Sequence, residues 1–174
     1  LYDEIPMTEH PMNSFVDVTD GTHGVALLNT GLKAYEASDD ECGTVYLSLL
    51  RAFPLRICVT SDMQDYSRVD KGSQCIGVNT FRYAFMPHTD KWEKAKLYDE
   101  ALAFNAPLKV CQFGKQEGIF GLENSFVSIE GDNLILSSVT KSDDDTVLIR
   151  VYNPTEKEIK GKITIGFDAK SARS

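Results

Sequence analysis

The sequence predicts a mainly β protein, a sandwich of short strands carrying one short helix. Two observations predict it. Short runs rich in Val, Ile, Leu, Phe and Tyr recur along the chain, each bounded by Gly, Asp, Asn, Ser or Pro. A helical spacing of apolar residues occurs once, in Trp92, Ala95, Tyr98 and Leu102.

Taken in order, "SFVDV" alternates as a strand does and is closed by the Gly-rich loop "TDGTHG". "VALLN" is nearly continuous in apolar residues, as in a strand buried on both faces. "TGLKAYEA" leads to the acidic turn "SDDECG", and "TVYLSLLRAF" places Val45, Leu47 and Leu49 on one face. From Thr60 to Gln74 the chain is polar and aperiodic, which predicts a long loop.

The stretch "FRYAFMPHTDKW" predicts a strand with Phe81, Tyr83 and Phe85 turned toward the core. Pro87 has no N–H to donate and is expected to end the ladder there. Asp90 stands three residues before Glu93, a capping-box spacing that predicts a helix start. Pro107 is expected to stop that helix, because it pushes Ala106 out of helical geometry. Later, "FVSIEGDNLILSSV" reads as a hairpin turning at Gly131, Asp132 and Asn133. "TVLIRVYN" and "KGKITIGF" are two further strands. No repeat, low-complexity segment or linker interrupts the 174 residues, so a single domain over residues 1–174 is expected.

Composition removes several function classes. The net charge is −8 and the Lys and Arg residues are scattered, which argues against nucleic acid and anionic membrane surfaces as partners. The apolar runs are too short to form a membrane-spanning helix. Cys42, Cys58, Cys75 and Cys111 show neither C-x-x-C spacing nor a His at a metal-ligand interval, so they read as reduced, mostly buried thiols and no metal site is expected. The opening "LYDEIPMTEHPMNSF" has no initiator Met and neither region of a signal peptide, as expected of a piece cut from a longer polypeptide.

The residues that carry chemistry are few. No Ser stands in a nucleophile elbow, no Cys beside a His, and "GKQEG" lacks the spacing of a phosphate loop. The acidic runs Asp39-Asp40-Glu41 and Asp143-Asp144-Asp145 read as turns between strands. Asp20 precedes Gly21 in a loop that also carries His23, and Asp-Gly most often marks a turn. The lone His88 reads as a structural residue at a strand-to-helix corner, its ring bonded to backbone or to Asp90. Trp92 reads as core.

Four segments in register carry a family resemblance: "HPMNSFVDVTDGTHGVALLNTGLKAYE", "LSLLRAF", "KGSQCIGVNTFRYAFMPHTDKWEKA" and "ALAFNAPL". Together they resemble the C-terminal β-domain of glycoside hydrolase family 38, the α-mannosidases, closest to the bacterial members and the related cytosolic type. The likeness runs from about His10 to Leu108 and continues more loosely through "LILSSVTKSDDDTVLIRVYN".

The resemblance implies a galactose-mutarotase-like β-supersandwich within a multidomain hydrolase that cleaves α-linked mannosides with retention. In that family the nucleophile, the acid/base carboxyl and the zinc ion belong to an N-terminal catalytic domain, which this chain does not match. The chain is therefore expected to hold no catalytic residue and no metal, and to be inactive by itself. Its expected partners are that catalytic domain on the same polypeptide and the α-mannoside; oligomerisation is left open, and the cytosolic type implies a cytoplasmic location. By position, Asp20, Gly21, His23, Arg51 and His88 are the candidates for the rim of the substrate cleft. Asp20 and Arg51 are expected to pair with each other or with the neighbouring domain. After Arg51 the sequence reads "AFPLRICV", a departure from the Pro-rich stretch of many relatives. The alternatives are an independent carbohydrate-binding module, whose signature is a row of exposed aromatics on one sheet face, and an oligomerisation platform marked by an exposed apolar patch.

Overall fold

A computed structural model describes residues 7–38, 42–53 and 71–173. Cys58, the acidic run at residues 39–41 and most of the loop expected between Thr60 and Gln74 lie outside the described residues. The protein is mainly β, with one short α-helix among the described residues. The chain divides into two compact units, Leu1–Lys91 and Trp92–Ser174.

The first unit holds β1 (Glu9–Pro11), β2 (Phe15–Thr19), β3 (His23–Thr30), β4 (Ala34–Ala37), β5 (Val45–Leu47) and β6 (Arg82–Thr89). They form two antiparallel sheets, ordered β1-β4-β5 and β2-β3-β6. The central strand β3 buries Ala26, Leu27, Leu28 and Asn29 in succession, which matches the continuous apolar reading of "VALLN". Asn29 is fully buried among them with its amide bonded: its Oδ1 accepts the Leu32 N–H at 3.0 Å and its Nδ2 lies 3.5 Å from Met12 Sδ.

Two expectations about β6 are corrected. Pro87 does not end the ladder: it sits opposite Val25, and the pairing runs on to Thr89 opposite His23. The reason is position, since β6 is an edge strand and an edge strand tolerates a residue without an N–H. The faces are also reversed. Ala84, Met86 and His88 turn inward, while Tyr83 and Phe85 are 47% and 68% exposed. The period of two was right, but alternation alone does not say which face is buried.

The second unit holds α1 (Leu97–Asn105), β7 (Val127–Glu130), β8 (Ile135–Lys141), β9 (Val147–Tyr152) and β10 (Lys162–Ile165). The helix starts later than the Asp90–Glu93 spacing suggested. Asp90 has a φ of 66°, outside the extended region an N-cap adopts, and turns occupy the residues up to a left-handed Lys96. Leu97 and Ala101 are buried, and Leu102, expected to face the sheet, is exposed. The stop is as expected: Ala106 leaves helical geometry, with φ −118° and ψ 70°, and Pro107 follows. Trp92 and Tyr152 both meet Tyr98 edge-on, at 5.5 and 6.2 Å between ring centroids.

The turn at Gly131–Asn133 exists, with both residues at positive φ, but it does not make the expected hairpin. It is a corner between two sheets: β7 pairs with β10, and β8 with β9. Gly131 and Gly161 approach closely there, so that a Cβ on Gly131 would stand 3.0 Å from the Gly161 Cα. The β8–β9 hairpin turns through the Asp143–Asp145 run, where Asp144 Oδ1 accepts from the Thr146 hydroxyl at 2.6 Å. That acidic run is a turn, as its sequence indicates. The cysteines differ from expectation: Cys42 and Cys111 are exposed and Cys75 is half-buried.

Candidate functional site

The loop "TDGTHG" is the turn between β2 and β3, and its polar atoms are largely spent on itself. Asp20 Oδ1 accepts the backbone N–H groups of Thr22 and His23, both at 2.7 Å. These two bonds, that to His23 first, hold the Asp20 carboxyl below its ordinary range. The Thr19 hydroxyl donates to the His23 carbonyl at 3.1 Å and accepts the Gly21 N–H at 3.0 Å. Gly21 takes a φ of +88°, a conformation that suits Gly at a turn. Asp20, Gly21 and His23 are all exposed at this tip.

His88 belongs to the same end of the sheet but to its inner side. It sits opposite Gly24, and the Asp90 N–H donates to the Thr22 carbonyl at 2.8 Å, tying β6 to the turn. Its Nε2 lies 2.7 Å from Asp17 Oδ1, with the side chains only 3% and 10% exposed. This corrects the expectation of a partner in backbone or Asp90. The Asp17 carboxylate raises the His88 pKa above its ordinary value, against burial, which lowers it.

The pair spans three strands. His88 is on β6 and Asp17 on β2, with β3 between them, and neighbouring strands lie about 4.8 Å apart. The ring crosses β3 over Gly24, where a Cβ would fall 2.5 Å from His88 Cε1 and 2.9 Å from the Thr19 Cβ. Only Gly leaves that space. Asp17 and Gly24 were missed as site-forming residues in the sequence. The available signal was the period-two placement of Asp17 beside Phe15 in "FVDVT", a charge on the core-facing side.

Arg51 lies apart from that turn, four residues beyond the end of β5. It pairs with Glu9 Oε2, not with Asp20 as the sequence suggested. Glu9 Oε1 also accepts the Ser48 hydroxyl at 2.7 Å, and these hydrogen bonds, that from Ser48 first, hold the Glu9 carboxyl below its ordinary range. Together with His10, Lys33 and Leu49 these residues line an open groove of about 540 Å³. None of Asp20, His23 and His88 lines it. The five candidates thus separate into an exposed turn, a buried histidine behind it, and a groove on the β1-β4-β5 sheet. Among the described residues, no three His, Cys, Asp or Glu side chains are grouped to hold a metal ion.

The comparisons with known proteins find likenesses in family 38 of the glycosyl hydrolases. Residues 133–174, spanning β8 to β10, match the family model of the glycosyl hydrolases family 38 C-terminal beta sandwich domain. An alpha-mannosidase from Enterococcus faecalis V583 is similar over 92% of this chain, with 22% identity and a TM-score of 0.78. A glycosyl hydrolase family 38 protein from Enterococcus faecalis is similar over 91%, with 22% identity and a TM-score of 0.77. The chain spans only 17% and 18% of the length of those two proteins. No curated protein matches the sequence. These findings support a family 38 C-terminal domain. Among the described residues no helix is long and apolar enough to cross a membrane.

Proposed function

We propose that this chain is the C-terminal β-region of a retaining α-mannosidase, carried on the same polypeptide as a catalytic domain that it supports. The family-model match over residues 133–174, with the fold likeness over nearly the whole chain, is the observation that carries this reading. In it, zinc and both catalytic carboxyl groups reside on the other domain, and this chain supplies packing and part of the cleft rim. The Asp20–His23 turn is exposed and braced by its own hydrogen bonds, which suits a rigid rim element. The Arg51–Glu9–Ser48 cluster offers a carboxylate, a guanidinium and a hydroxyl along one groove, groups that bind hydroxyl-rich ligands well.

An independent carbohydrate-binding module is the second reading, favoured by the exposed rings of Tyr83 and Phe85. Titrating the chain with mannose and a short α-mannoside, followed by NMR shift mapping, separates the two. The first reading expects no saturable shifts at millimolar sugar and no hydrolysis, with or without added zinc. Saturable shifts at Asp20, His23, Arg51 or Tyr83 would transfer the weight to the second, and hydrolysis by the chain alone would overturn the first.

A further inference from the structure

We infer that the groove on the β1-β4-β5 sheet is a binding site for a phosphate monoester, a small carbon skeleton bearing one phosphate. Among the described residues that line it, two full cations, Lys33 and Arg51, stand against one carboxylate, Glu9. The groove is thus a place of positive excess on a chain whose net charge is −8. Its volume of about 540 Å³ falls within the range of small-molecule sites, about 300–1,000 Å³. All of these groups come from this chain, so the site needs no catalytic domain to be complete.

Each cation is held in place by its own surroundings. Gly31, at a φ of +82°, turns the chain between β3 and β4. Leu32 is drawn into the core there, its N–H bonded to Asn29 Oδ1 at 3.0 Å. The next residue, Lys33, is exposed, and its carbonyl accepts the Met12 N–H at 2.9 Å. Among the described residues no carboxylate pairs with the Lys33 ammonium. Arg51 is fixed through its side chain. The Ser48 hydroxyl donates to Glu9 Oε1 at 2.7 Å, and Glu9 Oε2 takes an Arg51 N–H. Glu9 thereby spends both oxygens on the chain itself. The guanidinium, 65% exposed, keeps its other N–H groups for a ligand. His10 also lines the groove and offers a ring N–H, its centroid 5.6 Å from that of Tyr35. A site set up in this way loses little freedom when a ligand arrives.

The donors select the ligand. A phosphate monoester carries a charge of about −1.5 to −2 at pH 7 and presents strong acceptor oxygens in several directions. That matches donors arriving from β1, from the turn before β4 and from the segment after β5. A carboxylate is planar and singly charged, and the Arg51 fork alone would satisfy it. Pro11 and Leu49 supply apolar wall for the carbon skeleton that bears the phosphate.

The test is an NMR titration of the chain with glycerol phosphate and inorganic phosphate, beside acetate and glycerol, all at matched ionic strength. Saturable shifts are expected at the Lys33, Ser48 and Arg51 amides with both phosphates, tighter for glycerol phosphate, and none with glycerol. Lys33→Gln and Arg51→Lys are each expected to weaken binding several-fold, and Lys162→Gln, on β10, to leave it unchanged. Lys33→Gln alters only an exposed side chain, and an otherwise unchanged amide spectrum confirms that the variant is folded. Acetate bound as tightly as phosphate overturns the choice of ligand, as does glycerol phosphate bound no more tightly than inorganic phosphate. Shifts that never saturate, or that spread over lysines throughout the chain, overturn the site itself. Hydrolysis of α-mannoside does not enter this readout, so a failure here leaves the proposed function to its own experiment.

Discussion

His88 and Asp17, 71 residues apart in the chain, form a nearly buried pair at 2.7 Å that crosses the whole β2-β3-β6 sheet. Each member is the other's charge partner, so removing one leaves a charge desolvated without compensation. His88→Ala is expected to destabilise the protein by about 2–3 kcal/mol in urea denaturation. A loss no larger than that of an exposed substitution would mean that water already screens the pair.

The same pair sets a pH dependence. The His88 pKa is raised on folding by Asp17, so its contribution is complete below the ordinary value of 6.5 and is lost as pH climbs through the raised value. The urea midpoint is expected to fall as the pH rises from about 6.5 through that raised value, and to flatten in His88→Gln. An equally steep profile in that variant would assign the effect to other groups.

Gly24 is required by the crossing. In Gly24→Ala the new methyl meets Cε1 and Nε2 of His88 at 2.5 and 2.6 Å and the Thr19 Cβ at 2.9 Å, and the ring must leave Asp17. Overpacking of this kind costs about 1–3 kcal/mol, and the loss of the pair adds to it. Combining Gly24→Ala with His88→Ala is expected to recover part of the stability, because the ring that clashes is gone; strict additivity in the double-mutant cycle would contradict the geometry.

Asp20 behaves with the opposite sign. Its carboxyl is lowered by the His23 and Thr22 amides, so the stabilisation is present above the unfolded value and lost as pH falls through the lowered one. Asp20→Ala is expected to speed amide exchange at Thr22 and His23 at neutral pH, and Asp20→Asn to slow it again in part. Unchanged exchange in Asp20→Ala would show that the turn is held without the Asp20 carboxyl.

In α1 Leu97 is buried and Leu102 is exposed. Leu97→Ala is expected to cost about 2–5 kcal/mol and Leu102→Ala less than about 1 kcal/mol, read as urea midpoints. A reversal would restore the helix face that the spacing from Trp92 suggested.

What the sequence determined by itself was the class of structure and most of its punctuation. Alternating runs and turn residues locate β2, β3, β8 and β9, and Asp-Gly and the Asp143–Asp145 run mark turns, because these signals act within a few residues of one another. The family likeness was legible too, since it lies in ordered phrases of sequence, and the match at residues 133–174 agrees with it. The tertiary structure decided everything that depends on a neighbour distant in the chain. Pro87 lies within a strand because β6 is at an edge; Phe85 faces outward because Met86 and His88 take the inner side; Gly131 marks a corner because β7 chose β10. His88 looked like a solitary ring at a bend. Its partner was fixed only when three strands aligned and a missing side chain at Gly24 opened the path to Asp17.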